Sequence, residues 1–190
     1  GLGSLVTHHE PSGLDVVCAP ADPGHADRVP ATVATEILKV AATSYEYIIV
    51  DTPPSFTEHV LAAVDVSSLL VLVATLDIPA VKNLKIALDT LDAIGSPRDA
   101  RIVVLSRADA KVGLTGDDVV QALSTPIAVS VPSSSAVPAS INRGVPIVQD
   151  KPKEPVSAAI RTLADVHIRG RFGAPVEETQ RRGLFSRRSR

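Results

Sequence analysis

The run Tyr47-Ile48-Ile49-Val50-Asp51-Thr52-Pro53-Pro54 is an apolar stretch that stops abruptly at a carboxylate, with two prolines just beyond it. In an open α/β sheet, ligands sit at the carboxyl ends of strands, where a loop exposes side chains without disturbing the core. Asp51 stands at such an end. A carboxylate there can hold a Mg²⁺-bound water, because hard cations take oxygen ligands and Mg²⁺ keeps several of its waters. The same four residues and aspartate also suit a simple turn cap, since Asp side chains bond nearby backbone N–H groups. Spacing alone leaves both readings open.

Other reactive types are less well placed. His8-His9-Glu10 offers metal-ligand chemistry, but adjacent residues of an extended segment point to opposite sides and do not share one ion. Ser133-Ser134-Ser135 lacks the glycine-flanked turn of a serine nucleophile and reads as the N-cap region of a helix entering at Val137. Cys18, the single cysteine, reads as a small core residue on a buried strand. His25, His59 and His167 have no partner that the sequence names.

The elements that must position these residues follow from periodicity. Five short, wholly apolar runs, over 14–19, 47–50, 69–74, 102–105 and 127–131, predict strands buried on both faces. Between them Ala80, Leu84, Ala87, Leu88 and Leu91 share one helical face, opposite Lys82, Lys85, Asp89 and Asp92. Asp77 is the predicted N-cap of that helix and Gly95 its stop. Pro30 opens a helix running to Thr43, Thr115 with Asp118 forms a capping box, and Pro155 opens a last helix with a single apolar stripe. Strands alternating with helices predict an α/β fold with a mostly parallel sheet flanked by helices.

The 190 residues are 45% apolar, enough for one core, with Val, Leu, Ile and Ala filling it because only five residues are aromatic. That scarcity excludes an aromatic platform for single-stranded nucleic acid. One cysteine excludes a disulfide framework and points to a reducing, cytoplasmic setting. The net charge of −2 conceals an asymmetry: residues 169–190 carry seven Arg against Glu177 and Glu178, a net of +5, so the body stands at −7. The body therefore has no general affinity for a polyanion, and no specific nucleic-acid partner is expected. Residues 170–190, rich in Gly, Pro, Glu, Gln and Arg, read as a disordered basic tail following a domain over 1–169.

Four segments taken in order carry a resemblance. These are Tyr45 to Pro54, Asp65 to Ala74, Ser106-Arg107-Ala108-Asp109, and Val131-Pro132 followed by Ala139-Ser140-Ile141-Asn142-Arg143-Gly144-Val145-Pro146. From about Ser12 to Asp165 the chain resembles the MinD/ParA family of deviant Walker ATPases, and within it the pilus-assembly branch called CpaE or TadZ. The resemblance implies a P-loop NTPase fold with ATP and Mg²⁺ as ligands. It makes Asp51 the Walker B aspartate, catalytic and metal-holding, and Thr52, Pro53 and Pro54 the sensor of the terminal phosphate. It places Ser106, Arg107 and Pro132 around the adenine base. The family usually has Asn-Arg where this chain has Ser106-Arg107, and one hydroxyl cannot both donate to and accept from an adenine edge as an amide does. Arg107 either stacks on the base or pairs with Asp109 at the surface.

The sequence contains no G-x-x-x-x-G-K-[ST] and no lysine-bearing glycine-rich variant of it. Backbone N–H groups and that lysine supply most of the phosphate binding in such sites. The expectation is therefore a fragment: the C-terminal portion of the ATPase domain, N-terminally incomplete, inactive alone, with Tyr47–Val50 and Leu69–Ala74 flanking a vacant strand position. The resemblance further implies a homodimer in the intact protein and a role in positioning or assembling a polar pilus secretion machine. The tail, with Leu184 and Phe185 among arginines, suits weak contact with anionic membrane at its inner face. Two rivals are a non-catalytic scaffold of the same fold and a DNA-partitioning ATPase, the latter opposed by the acidic body.

Overall fold

In the computed structural model, residues 2–20, 22, 24 and 28–173 are described, and the chain divides into two compact units meeting within one strand, between Leu70 and Val71. In the first unit, β1 (Thr7–His9) and β2 (Leu14–Val16) form an antiparallel ribbon in which Thr7 faces Val16 and His9 faces Leu14. The turn between them closes where the Ser12 and Gly13 N–H groups both donate to the His9 carbonyl, at 3.1 and 2.9 Å. Gly13 sits there at φ +68°, a conformation open to glycine because it has no Cβ.

Two helices complete the unit. Helix α1 (Ala31–Ala41) starts after Pro30, and α2 (Glu58–Val66) is capped by the Thr57 hydroxyl, which accepts from the Val60 N–H at 3.4 Å. They pack on each other around Ala41, Val60 and Ala63.

Two expectations are corrected here. The apolar run at 14–19 is not a buried parallel strand: its strand is three residues long, antiparallel and solvent-facing, and Cys18 is exposed. Tyr47–Val50 forms no ladder among the described residues, and Ile49 is 76% exposed. A strand requires a neighbour to take its backbone N–H and C=O groups, and apolar composition supplies none.

The second unit is the ordered α/β portion. Strands β3 (Leu70–Thr75), β4 (Arg101–Ser106) and β5 (Ile127–Val131) lie in that order in one sheet. Strand β4 runs parallel to β5 from Val103↔Ile127 to Ser106↔Val131, with a register shift between Val103 and Val104. Being central, β4 buries Val103, Val104 and Leu105 in succession, as a strand covered on both faces must.

Helix α3 (Ile78–Ala93) links β3 to β4, and α4 (Gly116–Leu123) links β4 to β5; the two pack together over a core of Ala74, Leu84, Val103, Leu105, Val119 and Leu123. Their ends are as the sequence predicts. The Asp77 carboxylate accepts from the Ala80 N–H at 2.9 Å, Gly95 follows the last turn at φ +75°, and Thr115 and Asp118 exchange the two bonds of a capping box.

Beyond β5, α5 (Ala136–Asn142), α6 (Ile147–Asp150) and α7 (Pro155–Thr162) gather a second cluster of Ala136, Ile147 and Val156, with α7 against β5. At the start of α5 the Ser134 hydroxyl accepts from the Ala136 N–H at 3.2 Å, while Ser135, the N-cap, makes no side-chain cap bond. After Thr162 the helix continues in π winding over Leu163–Arg169 and ends with Gly170–Phe172. The first three residues assigned to the disordered tail are thus helical, and 174–190 lie outside the described residues.

Candidate functional site

The expected site residues fall in both units. In the first, Asp51, Thr52, Pro53 and Pro54 follow the unpaired 47–50 segment and precede α2, all exposed. Neither the Asp51 carboxylate nor the Thr52 hydroxyl has a hydrogen-bond or ion-pair partner among the described residues. Asp51 is therefore not engaged as a turn cap. Among the described residues no group of three His, Cys, Asp or Glu side chains is arranged to hold a metal ion. One carboxylate beside one hydroxyl fits Mg²⁺ only in the manner that cation favours with phosphates, through its retained waters.

The histidines of the ribbon are committed elsewhere. His8 Nδ1 lies 2.6 Å from Asp15 Oδ1, and His9 Nδ1 lies 2.6 Å from Ser12 Oγ, so the two rings serve different partners. The Tyr45 hydroxyl donates to Asp15 Oδ2 at 2.7 Å, fastening the ribbon to the residues that lead to Asp51. The bonds from His8 and Tyr45 hold the Asp15 carboxyl below its ordinary value, while the hydrogen bond that the Tyr45 hydroxyl donates to Asp15 raises the Tyr45 phenol.

In the second unit the sheet brings three expected residues together. Ser106 ends β4 opposite Val131, so Arg107 and Pro132 leave adjacent strands side by side. The Ala108 N–H donates to the Val131 carbonyl at 3.1 Å. Asp109 then reaches across, its Oδ1 accepting from the Ser133 N–H at 2.6 Å, and that backbone bond, with one from the Ser133 side chain, lowers its pKa.

Arg107 sits at φ +52°, one of two non-glycine residues in the left-handed region, and makes no ion pair among the described residues. Its pairing with Asp109 is not formed; Asp109 instead accepts from the Ser133 N–H. The Asp109–Ser133 tie was missed from sequence. The signal available was the adjacency of the loops after two neighbouring parallel strands, each with a residue able to bridge.

No family model matches the sequence, and no curated protein matches it. Solved structures do. A ParA family ATPase from Chlorobium tepidum TLS superposes with a TM-score of 0.80 at 23% identity, over 86% of this chain and 68% of that one. The chain has the MinD/ParA fold. The septum site-determining protein MinD of Pyrococcus horikoshii, in complex with Mg-ADP, gives a TM-score of 0.78 at 17% identity over 93% of this chain and 72% of its own. The MinD cell division protein of Aquifex aeolicus gives 0.71 at 21%, over 86% and 68%. On this MinD/ParA fold, Ser106, Arg107 and Pro132 occupy the carboxyl ends of adjacent strands, the end at which open α/β sheets bind ligands.

Proposed function

We propose that residues 1–169 form the C-terminal portion of a MinD/ParA-type ATPase domain of the CpaE/TadZ branch, followed by a basic tail. Its role is the positioning or assembly of a polar pilus secretion machine, in the cytoplasm or at the inner face of the membrane, as a homodimer when intact. The observation that carries the reading is the pairing of β4 with β5, which sets Ser106, Arg107 and Pro132 at one end of a sheet of the MinD/ParA fold, with Asp109 and Ser133 bonded beside them.

In this reading the exposed Asp51 carboxylate accepts hydrogen bonds from metal-bound water, and Thr52 to Pro54 face the terminal phosphate. Arg107, paired with no carboxylate among the described residues, lays its planar guanidinium on the adenine ring. Ser106 and the backbone at Pro132 supply the polar edge contacts. Bound Mg²⁺ would supply charge neutralisation for the phosphates. A lysine-bearing glycine loop, absent from this sequence, is required beside Asp51 for tight phosphate binding.

Calorimetric titration with Mg-ATP and a phosphate-release assay test this. For the 190-residue chain we expect dissociation constants weaker than roughly 100 μM, near the bottom of the usual range of specific sites, and no measurable turnover. Low-micromolar affinity, or turnover abolished by Asp51→Ala, would overturn the incomplete-site reading. In a chain that also carries the loop, Asp51→Ala should cost turnover at least about a hundredfold. If nucleotide binding is absent there as well, the non-catalytic scaffold, which the missing loop favours, replaces the ATPase.

A further inference from the structure

At the amino-terminal ends of β4 and β5, the ends opposite Arg107 and Pro132, lies a cavity of about 680 Å³. Sites for small organic molecules span roughly 300 to 1,000 Å³ and combine an apolar body with a few placed polar groups. This cavity has both. Leu88, Leu123 and Ile127 give it an apolar wall, and charged side chains of α3 and of the segment entering β4 form its rim.

The charges do not balance. Asp92 accepts from Arg98 at 2.5 Å and from Arg101 at 2.7 Å, and Asp89 faces Lys85 at 3.5 Å. Three cations thus meet two carboxylates, and one positive charge remains before His167 at the mouth is considered. Arg101 is 9% exposed and fixed by the Ser96 hydroxyl and carbonyl as well as by Asp92, so it contributes charge without freedom to leave. Lys85 and Arg98 have largely exposed side chains, whose ion pairs are weak and easily exchanged for a ligand anion.

One departure from ordinary helix winding borders the same space: His167 belongs to the π-wound stretch Leu163–Arg169, whereas Ser124 at φ +49° is the left-handed cap that ends α4. Such π winding occurs disproportionately at functional sites.

We propose that this cavity is a second binding site, separate from the nucleotide end, for a small molecule with an apolar body and one anionic group, a carboxylate or a phosphate ester. A cation is disfavoured because each carboxylate on the rim is already paired. A polyanion is disfavoured because only one positive charge is in excess.

Amide chemical-shift titration of the ¹⁵N-labelled full chain tests the site, with benzoate and phenyl phosphate as anionic probes and benzyl alcohol as the neutral one. Saturable shifts are expected over 85–92, over 124–128 and at His167, with the tighter anion at least about threefold stronger than benzyl alcohol, as one weakly screened charge allows. Whichever anion binds more tightly names the class. Lys85→Ala should weaken the anions about threefold and leave benzyl alcohol unchanged. Ala128→Phe, on the cavity lining, should abolish all binding. No saturable shifts in these segments, shifts centred at Arg107 and Ser133, or equal affinity for the neutral probe would each overturn the proposal. If Ala128→Phe fails to fold, the Lys85→Ala comparison decides alone.

Discussion

Arg107 pays a conformational cost that glycine would not: a side chain at φ +52° brings Cβ near the following carbonyl. Substitution Arg107→Gly should therefore stabilise the folded chain by about 1 kcal/mol, less the extra freedom glycine gives the unfolded state. Chemical denaturation measures it, and a marked loss of stability would mean that the arginine side chain holds the loop. The tie beside it is one residue pair, Asp109 and Ser133, 24 positions apart in sequence. A strained arginine that pairs with no carboxylate among the described residues is what a residue kept for an external ligand looks like.

Helix α3 shows how a charge acts at the level of an element. The Asp77 carboxylate takes hydrogen bonds from the Thr75 hydroxyl and the Ala80 N–H, and these hold its pKa below the ordinary 3.8. A depressed folded-state pKa means that the contribution is complete above the unfolded value and is lost as pH falls through 3.8 toward the folded one. Asp77→Asn should thus be less stable than the parent at neutral pH, with the gap closing below pH 3.8 in urea melts. A gap independent of pH would remove the charge from the capping role.

The same element explains what was legible in sequence. Asp77, Gly95, Thr115, Asp118 and Pro155 mark helix ends through bonds made within a few residues, so α3, α4 and α7 are readable locally. Strands β3, β4 and β5 are readable because each is an apolar run with a parallel neighbour. Tyr47–Val50 has the same composition and no strand partner among the described residues, and the 14–19 run pairs with Thr7–His9, which carries no apolar signature. For the candidate site, Ser106, Arg107 and Pro132 were named by likeness to a family pattern, and the structure places them at the ends of adjacent strands. Their convergence depended on which strands lie side by side, which composition does not encode.

At the scale of the molecule, the charge is divided between an acidic body at −7 and the segment 169–190 at +5. Attraction of that segment to anionic vesicles should be lost at high salt, because exposed charges are screened beyond a Debye length of about 10 Å at 0.1 M. Co-sedimentation at low and high salt, with and without residues 177–190, checks it; unchanged binding after truncation would assign lipid contact elsewhere.

The order in which the chain is made adds a consequence to the last helix. Strands β3 to β5 are complete in sequence before Pro155, whereas the helix from Pro155 to Phe172 packs on β5 and fastens to the start of β4 through Arg171 and the Asp99 carbonyl, 72 residues back. The chain is made from its amino-terminal end, so this clasp, and the cavity mouth at His167, can form only after β3 to β5 have been made. The small anion proposed for that cavity would bind only a chain made through His167, and would stabilise it by RT ln(1 + [L]/Kd), which rises with the logarithm of its concentration once the site is filled.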